Sequence, residues 1–397
     1  MIGTHSAETQ IVVIGGGIGG LTTALALARS GYSVKVLERA EDYSEIGAGL
    51  QLAPNATRIL DRLGVLEAVE KAGVRPDRLV LGDARTGVEL ASLDLGEAFL
   101  RRYRAPYVLV HRSDLLAVLL DACRSSGVVT ETRRQVTRIE SNGRGATAWC
   151  ADGSHHAGRA VVAADGLWST ARQLVSDDEP ICSGYVAYRG TVSTGELPDG
   201  HDLDAVVAWI GPGLHLVEYP LRGKQIYNQV AVFKSDRYTA GESEWGTPDE
   251  LDERFAAMCD RVRAGAGRLW RDRRWVMYDR APAGNWVSGN VALLGDAAHP
   301  VLQYLAQGAC QAMEDAVVLT EHINRATTAQ APDLGATLRA YQAERMDRTT
   351  RVQRSARLWG DTWHFDGAAA MVRNELLRTH RSDDYGRLDW LYGTDVR

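Results

Sequence analysis

Gly15-Gly16-Gly17-Ile18-Gly19-Gly20 stands between an apolar run, Gln10 to Ile14, and a stretch rich in Leu and Ala, Leu21 to Ala28. This order reads as strand, tight turn and helix, and a second β run, Ser33 to Glu38, follows the break at Gly31. Two neighbouring parallel strands need a crossover helix, so the N-terminal region is predicted to be a βαβ unit of about thirty residues. Gly15 permits the tight turn, Gly17 lets a pyrophosphate approach the backbone, and Gly20 lets the helix pack on the strand. The helix N-terminus adds free N–H groups and the positive end of its dipole. Glu38 ends the second strand 23 residues after Gly15 (38 − 15), where a carboxylate can accept hydrogen bonds from ribose hydroxyls. The alternatives are a glycine-rich turn without ligand and, for Glu38, a solvated strand end.

Composition narrows the remaining classes. The 397 residues are 45% hydrophobic and 24% charged, which suits a globule and excludes disorder or collagen. At about 150 residues per domain the length suggests two to three domains. Lys+Arg 45 against Asp+Glu 51 leaves a net charge of −6, with no basic excess for nucleic acid. Five widely spaced cysteines include no C-x-x-C pair, so zinc, iron–sulfur and disulfide frameworks are disfavoured and no metal is expected. The first ten residues carry His5 and Glu8 but no Lys or Arg, so a cytoplasmic setting is expected. Ile11 to Ala28 contains five glycines and serves the turn better than a transmembrane segment.

A lone dinucleotide fingerprint does not separate NAD from FAD, but two later motifs bear on the choice. Ala163-Ala164-Asp165-Gly166 follows the apolar run Ala160 to Val162, and Gly295-Asp296-Ala297-Ala298-His299-Pro300 follows Val291 to Leu294. Each places an Asp at the carboxyl end of a strand, where α/β sheets bind ligands. Asp296 is assigned to the ribityl chain of a flavin, and the helix beginning near Gly308 to the electron-rich edge of its ring. His299, beside Pro300, reads as structural.

The rest of the chain is coarser. Short strands are predicted from Leu79 to Val110, then a helix over Arg112–Cys123 capped by Ser113 or Asp114. Alternating runs at Ala205–Ile210, His215–Tyr219 and Gln225–Phe233 predict a mostly antiparallel sheet between Gly184 and Trp286. The chain is then helical from Gly308 to about Trp359. Arg345, Arg348, Arg351, Arg354 and Arg357 recur every three residues, wrap round such a helix, and are expected on a solvated or interface surface.

The glycine fingerprint with Glu38-Arg39, His111-Arg112-Ser113-Asp114-Leu115, Asp165-Gly166, and Gly295-Asp296 through Glu314-Asp315-Ala316 occur in one order. In that order the chain resembles, over nearly its whole length, the single-component flavoprotein aromatic hydroxylases of the para-hydroxybenzoate hydroxylase fold. Ser183 to Gly190, Tyr219 to Gly223 and Leu302 to Leu305 look like the 3-hydroxybenzoate 6-hydroxylase branch. Many relatives have proline where this chain has Gln303, which points away from salicylate 1-hydroxylase.

The fold so expected is α/β, a Rossmann-like FAD-binding domain with an inserted, mostly antiparallel β-sheet substrate domain and a helical C-terminal region. The FAD domain is assembled from residues 9–78, 105–180 and 281–335, the substrate domain from 79–104 and 181–280, and the helical region is 336–397. The resemblance implies that Arg112 and Gln51 contact FAD, that Asp165 and Arg172 serve the pyrophosphate and nicotinamide side, and that Asp296 holds the ribityl chain. It also sets His215 and Gln303 near the phenolic oxygen, with Tyr219 and Tyr107 lining the ring and carboxylate site. The resemblance also implies a second proline after Pro300, where this chain has Val301.

The chemistry is coherent without the family. Reduced flavin and O2 give a C4a-hydroperoxide whose distal oxygen is electrophilic, and its attack by an aromatic ring wants a phenolate-like hydroxyl. A base of near-neutral pKa is therefore sought, and His215 shares a strand face with Val217 and Tyr219. A structural histidine on a sheet is the alternative. No second G-x-G-x-x-G follows a strand, so NADH or NADPH is expected to visit transiently as reductant. The leading expectation is 3-hydroxybenzoate hydroxylated to gentisate by a homodimeric enzyme. The rivals are another substituted benzoate (an amino-hydroxybenzoate, or salicylate), a flavin-dependent dehydrogenase or reductase, and a non-catalytic redox sensor.

Overall fold

The computed structural model describes residues 10–43, 49–327 and 333–396. The N-terminal segment with His5 and Glu8, and Gly47, lie outside the described residues. The first sheet has six strands in the order Val287–Ser288, Val291–Leu293, Ala160–Ala163, Gln10–Ile14, Ser33–Leu37 and Val129–Glu131. Its pairs are parallel except the first. Ile11–Ile14, Ala160–Ala163 and Val291–Leu293 are buried throughout, as expected of strands covered on both faces.

The glycine turn leads into the helix Ile18–Arg29, whose residues are almost all buried through Leu27. It lies close against the Gly308–Thr327 helix, because a Cβ on Gly19 would stand 3.0 Å from Leu294 and 3.1 Å from Ala312. Thr22 and Thr23 donate their hydroxyls to the carbonyls of Ile18 and Gly19, each at 2.7 Å, which satisfies polar groups that find no water there. Burying Leu21, Leu25 and Leu27 contributes about 1.5–3 kcal/mol apiece.

The second large sheet has seven strands in the order Trp275–Asp279, Ile181–Ser193, Ile226–Lys234, Leu214–Leu221, Ala205–Gly211, Arg78–Asp83 and Glu89–Asp94. It is antiparallel apart from the pairing of Ala205–Gly211 with Arg78–Asp83. The α/β fold class with a mostly antiparallel insert and a helical C-terminal region is as expected.

Local readings needed correction. Helices Pro248–Phe255 and Asp260–Gly267 interrupt the sheet-forming stretch, and Glu97–Tyr103 is a helix where only strands were predicted. The helix Arg112–Ser125 is capped by His111, whose ring accepts from Ser113 N–H, while Asp114 pairs with Arg222 at 2.8 Å. Helix extends beyond Trp359 to Trp363 and resumes over Gly367–Arg378.

The arginine series also departs from a solvated surface. Arg351 and Arg354 are exposed, but Arg345 is buried, with Nε 2.7 Å from Asp315 and Nη1 2.6 Å from Glu314. Arg348 reaches Glu314 at 2.6 Å, and Arg357 pairs with Asp279. A wrapping series on a helix packed against another must send some members inward, and here buried carboxylates meet them.

Candidate active site

A cavity of about 1630 Å³ runs from the glycine turn, past the Gly295–His299 turn, to the inner face of the seven-stranded sheet. Gly15 has φ +96, and a Cβ there would lie 2.4 Å from the Ala164 carbonyl oxygen. On Gly20 a Cβ would lie 1.9 Å from the Gly15 carbonyl oxygen, so this glycine permits packing rather than ligand approach. Gly17 is the opposite case: no atom lies within 4 Å of a Cβ built there, and the residue lines the cavity. The Glu38 carboxylate accepts from Gly16 N–H at 2.6 Å and Ala40 N–H at 2.8 Å, which sets it at the cavity wall with acceptor capacity left. Arg39 is exposed at the rim.

Three charged groups face the middle of the cavity. Asp165 accepts from Thr170 N–H at 2.9 Å through Oδ2, while its buried Oδ1 has no partner, and burial raises its pKa. Asp296 opens to the cavity; the surrounding protein raises its pKa, with His299 and Arg112 opposing. Burial lowers the pKa of Arg112, and Asp296 partly restores it. Gly308, at the N-terminus of its helix, lines the same space. The open side of Gly17, the unsatisfied Asp165 oxygen and the cavity-facing Asp296 fit a flavin dinucleotide.

Arg172 is placed elsewhere. Its guanidinium pairs with Asp178 at 2.7 and 3.0 Å and donates to the carbonyls of Ala297 and Ala298 at 2.9 and 2.8 Å. With four of its five N–H groups engaged and the side chain buried, it braces the turn behind Asp296 and does not line the cavity. The expected pyrophosphate contact is thus replaced by a supporting one.

At the sheet end, His215, Val217 and Tyr219 line the cavity from one strand face, as the alternation predicts. Gln303 lines it from the short turn Gln303–Leu305. Tyr107 donates to Gln51 Oε1 at 2.7 Å, and both line the wall. Tyr219 packs where a Cβ on Gly49 would be, 2.4 Å from that position, so Gly49 makes room for the ring. Burial raises the pKa of both phenols, well above the ordinary value of 10 for Tyr107, and they remain protonated donors.

His215 is not the near-neutral base expected. Burial first, then His364, hold its pKa well below 6.5, so its ring is neutral with a lone pair available. Its Nδ1 lies 2.9 Å from His364 Nε2, and the two rings stack. His299 is structural as read: Nε2 lies 2.6 Å from Asp315 Oδ2.

Sequence reasoning missed two residues. Arg189 lines the cavity beside Tyr219; burial lowers its pKa, its Nε is unsatisfied, and no carboxylate among the described residues pairs with it. The available signal was a lone cation in the apolar run Tyr185–Gly190. His364 comes from the helix end 149 residues beyond His215 and had no signal at all.

The whole chain is similar to known flavoproteins. The family described as FAD binding domain matches residues 8–356. The chain is 39% identical to a 3-hydroxybenzoate 6-hydroxylase of Polaromonas naphthalenivorans, over 99% of this chain and 98% of the relative. It is 41% identical to 3-hydroxybenzoate 6-hydroxylase 1 of Aquipseudomonas alcaligenes, over 98% of both chains. A 3-amino-4-hydroxybenzoate 2-monooxygenase of Streptomyces platensis is 37% identical over 100% of this chain and 98% of its own. Among solved structures, Klebsiella pneumoniae HpxO complexed with FAD and uric acid superposes with a TM-score of 0.82 at 30% identity, covering 96% of this chain and 94% of that one.

Proposed function

The chain belongs to the FAD-dependent, NAD(P)H-using aromatic-ring monooxygenases, and on that premise we propose that it hydroxylates 3-hydroxybenzoate para to its hydroxyl, giving gentisate. The observation that carries this reading is the joining of the dinucleotide turn, Asp296 and the His215–Gln303–Tyr219–Arg189 wall by one cavity. The names of the relatives support a hydroxybenzoate as substrate class.

The residues divide the work by position. The turn at Gly15 and Gly17 with its helix N-terminus would hold the pyrophosphate of FAD, Glu38 the ribose, and Asp296 with Arg112 and Gln51 the middle and ring. Bound FAD supplies transfer of two electrons from NAD(P)H and activation of O2 for insertion into the ring. Arg189, a half-buried cation with no carboxylate partner among the described residues, would take the substrate carboxylate, an ion pair that offsets the cost of desolvating its charge. Leu81, Val217, Val230 and Leu302 keep the ring out of water. His215 accepts the phenolic proton at its free ring nitrogen, Nε2, and Gln303 holds the oxygen in line. A second copy of the chain covering exposed Met371, Val372 and Leu376 is the accompanying reading for a homodimer, tested by sedimentation.

The test is incubation of the flavin-loaded protein with NADH or NADPH and a panel of hydroxy- and amino-hydroxybenzoates, following nicotinamide oxidation, peroxide and product mass. Coupled formation of a dihydroxybenzoate from 3-hydroxybenzoate is expected. Nicotinamide oxidation yielding only peroxide with every ligand overturns the substrate assignment.

A further inference from the structure

His215 faces the cavity with one ring nitrogen committed, and that commitment continues into the protein. Its Nδ1 lies 2.9 Å from His364 Nε2, and His364 Nδ1 lies 3.1 Å from the Tyr185 hydroxyl. The three rings stack in sequence, with centroids 5.2 Å apart for His215 and His364 and 4.9 Å for His364 and Tyr185, at interplanar angles of 17° and 21°. The backbone fixes the middle ring: His364 N–H donates to the carbonyls of Gly360 and Asp361, and its own carbonyl accepts from Gly213 N–H. Tyr185 is half-buried and senses exposed Asp361.

We propose that His215, His364 and Tyr185 form a proton wire that carries the substrate's phenolic proton from the cavity to solvent beside half-buried Tyr185. This rests on the phenol-hydroxylase reading above. Before transfer, His215 Nδ1–H donates to His364 Nε2, His364 Nδ1–H donates to the Tyr185 oxygen, and the Tyr185 proton points to water. The phenolic O–H then breaks and an N–H forms at His215 Nε2. The Nδ1 proton moves to His364 Nε2, the His364 Nδ1 proton moves to the Tyr185 oxygen, and the original Tyr185 proton leaves to water. Every member is neutral before and after, one proton has left, and no electron has moved. His215 Nε2–H now donates to the phenolate, and the reverse sequence returns the proton when the product phenol is restored.

A wire answers a difficulty that a single base would face. No carboxylate among the described residues hydrogen-bonds to either ring. The groups acting on the pair are Tyr304 and Trp363 beside His215, and Arg373, Arg254 and Lys234 around His364. Burial first, and then those three cations, hold His364 at about 3. An imidazolium is disfavoured at both positions, so the accepted proton must be handed on.

The experiment is stopped-flow binding of 3-hydroxybenzoate, with benzoate as the control lacking a phenol, to the oxidised flavin-loaded protein in weak buffer with a pH indicator. The wild type is expected to release a proton with the phenolic ligand alone. His364→Gln and Tyr185→Phe should slow that release at least about tenfold, within the range of proton-transfer catalysis, while the dissociation constant stays within about threefold. Tyr185→Phe keeps the stacked ring and removes only the relay oxygen, so a folding defect does not explain its effect. Unchanged release in both variants, in a wild type that hydroxylates the ligand, overturns the wire and leaves the functional reading standing. A wild type that neither binds nor hydroxylates any phenolic benzoate overturns both.

Discussion

Asp315 Oδ1 lies 2.7 Å from Arg345 Nε, both side chains buried, and the other oxygen of Asp315 accepts from Gly295 N–H at 3.0 Å. The pair therefore ties the long C-terminal helix to the turn that presents Asp296. Burial alone would raise the Asp315 pKa, but His299 and Arg345 hold it at about 2. Glu314 joins the same cluster, accepting from Arg345, Arg348 and Asn55 at 2.6, 2.6 and 2.7 Å.

Removing Arg345 takes away the cation that two buried carboxylates share, leaving Glu314 to Arg348 and Asn55 and Asp315 to His299 and Gly295 N–H. Arg345→Ala should lose about 3–5 kcal/mol of unfolding free energy, read by urea denaturation of the flavin-loaded protein. A loss under about 1 kcal/mol would show that the cluster contributes little.

The two glycines of the turn should separate folding from cofactor binding. Gly17→Ala is expected to fold with near-parental unfolding free energy and to retain less flavin, since its Cβ enters the cavity. Gly20→Ala must push the Gly15 carbonyl aside and should lose stability by about 1–3 kcal/mol. Flavin content after gel filtration, set beside thermal unfolding, measures both; parental flavin retention in Gly17→Ala contradicts the pyrophosphate assignment. Asp296→Ala should likewise release flavin.

Arg189→Met should weaken binding of a benzoate by at least about tenfold and spare a phenol that lacks the carboxylate, since only the former would pair with the guanidinium on the cavity wall. The fold should suffer little, because a half-buried cation with no carboxylate partner among the described residues, set 5.2 Å from the centre of the Trp275 ring, is replaced by an apolar chain of similar length. Steady-state KM values for the two ligands decide it: an equal change in both removes Arg189 from the carboxylate site.

His215 and His364 give acid sensitivity a definite sign. Both have pKa values lowered on folding, so below about pH 6.5 the unfolded chain binds more protons and stability falls as pH drops. Each contributes a slope of about 1.4 kcal/mol per pH unit down to its folded value. Denaturation at pH 7.5, 6 and 5 should show this slope, reduced in His364→Gln; an identical slope in that variant would contradict the assignment.

Much of the dinucleotide half was legible because its signals are local. The turn at Gly15–Gly20, the acid at Glu38, and the Asp165 and Asp296 turns each sit within a few residues of the strand end that positions them. The face shared by His215, Val217 and Tyr219 followed from strand alternation alone. The inward turn of Arg345, the diversion of Arg172 to Asp178, and the capping by His111 depended on what stands opposite, and periodicity carries no information about an opposing surface.

The sequence by itself determined the α/β class, the nucleotide-binding turn and the strand carrying His215, because backbone geometry and side-chain period act over neighbouring residues. Only the tertiary structure decided that Arg189 stands on the cavity wall with no carboxylate beside it among the described residues and that His215 touches His364. Desolvation and contact between residues 149 apart exist only once separated segments have packed together.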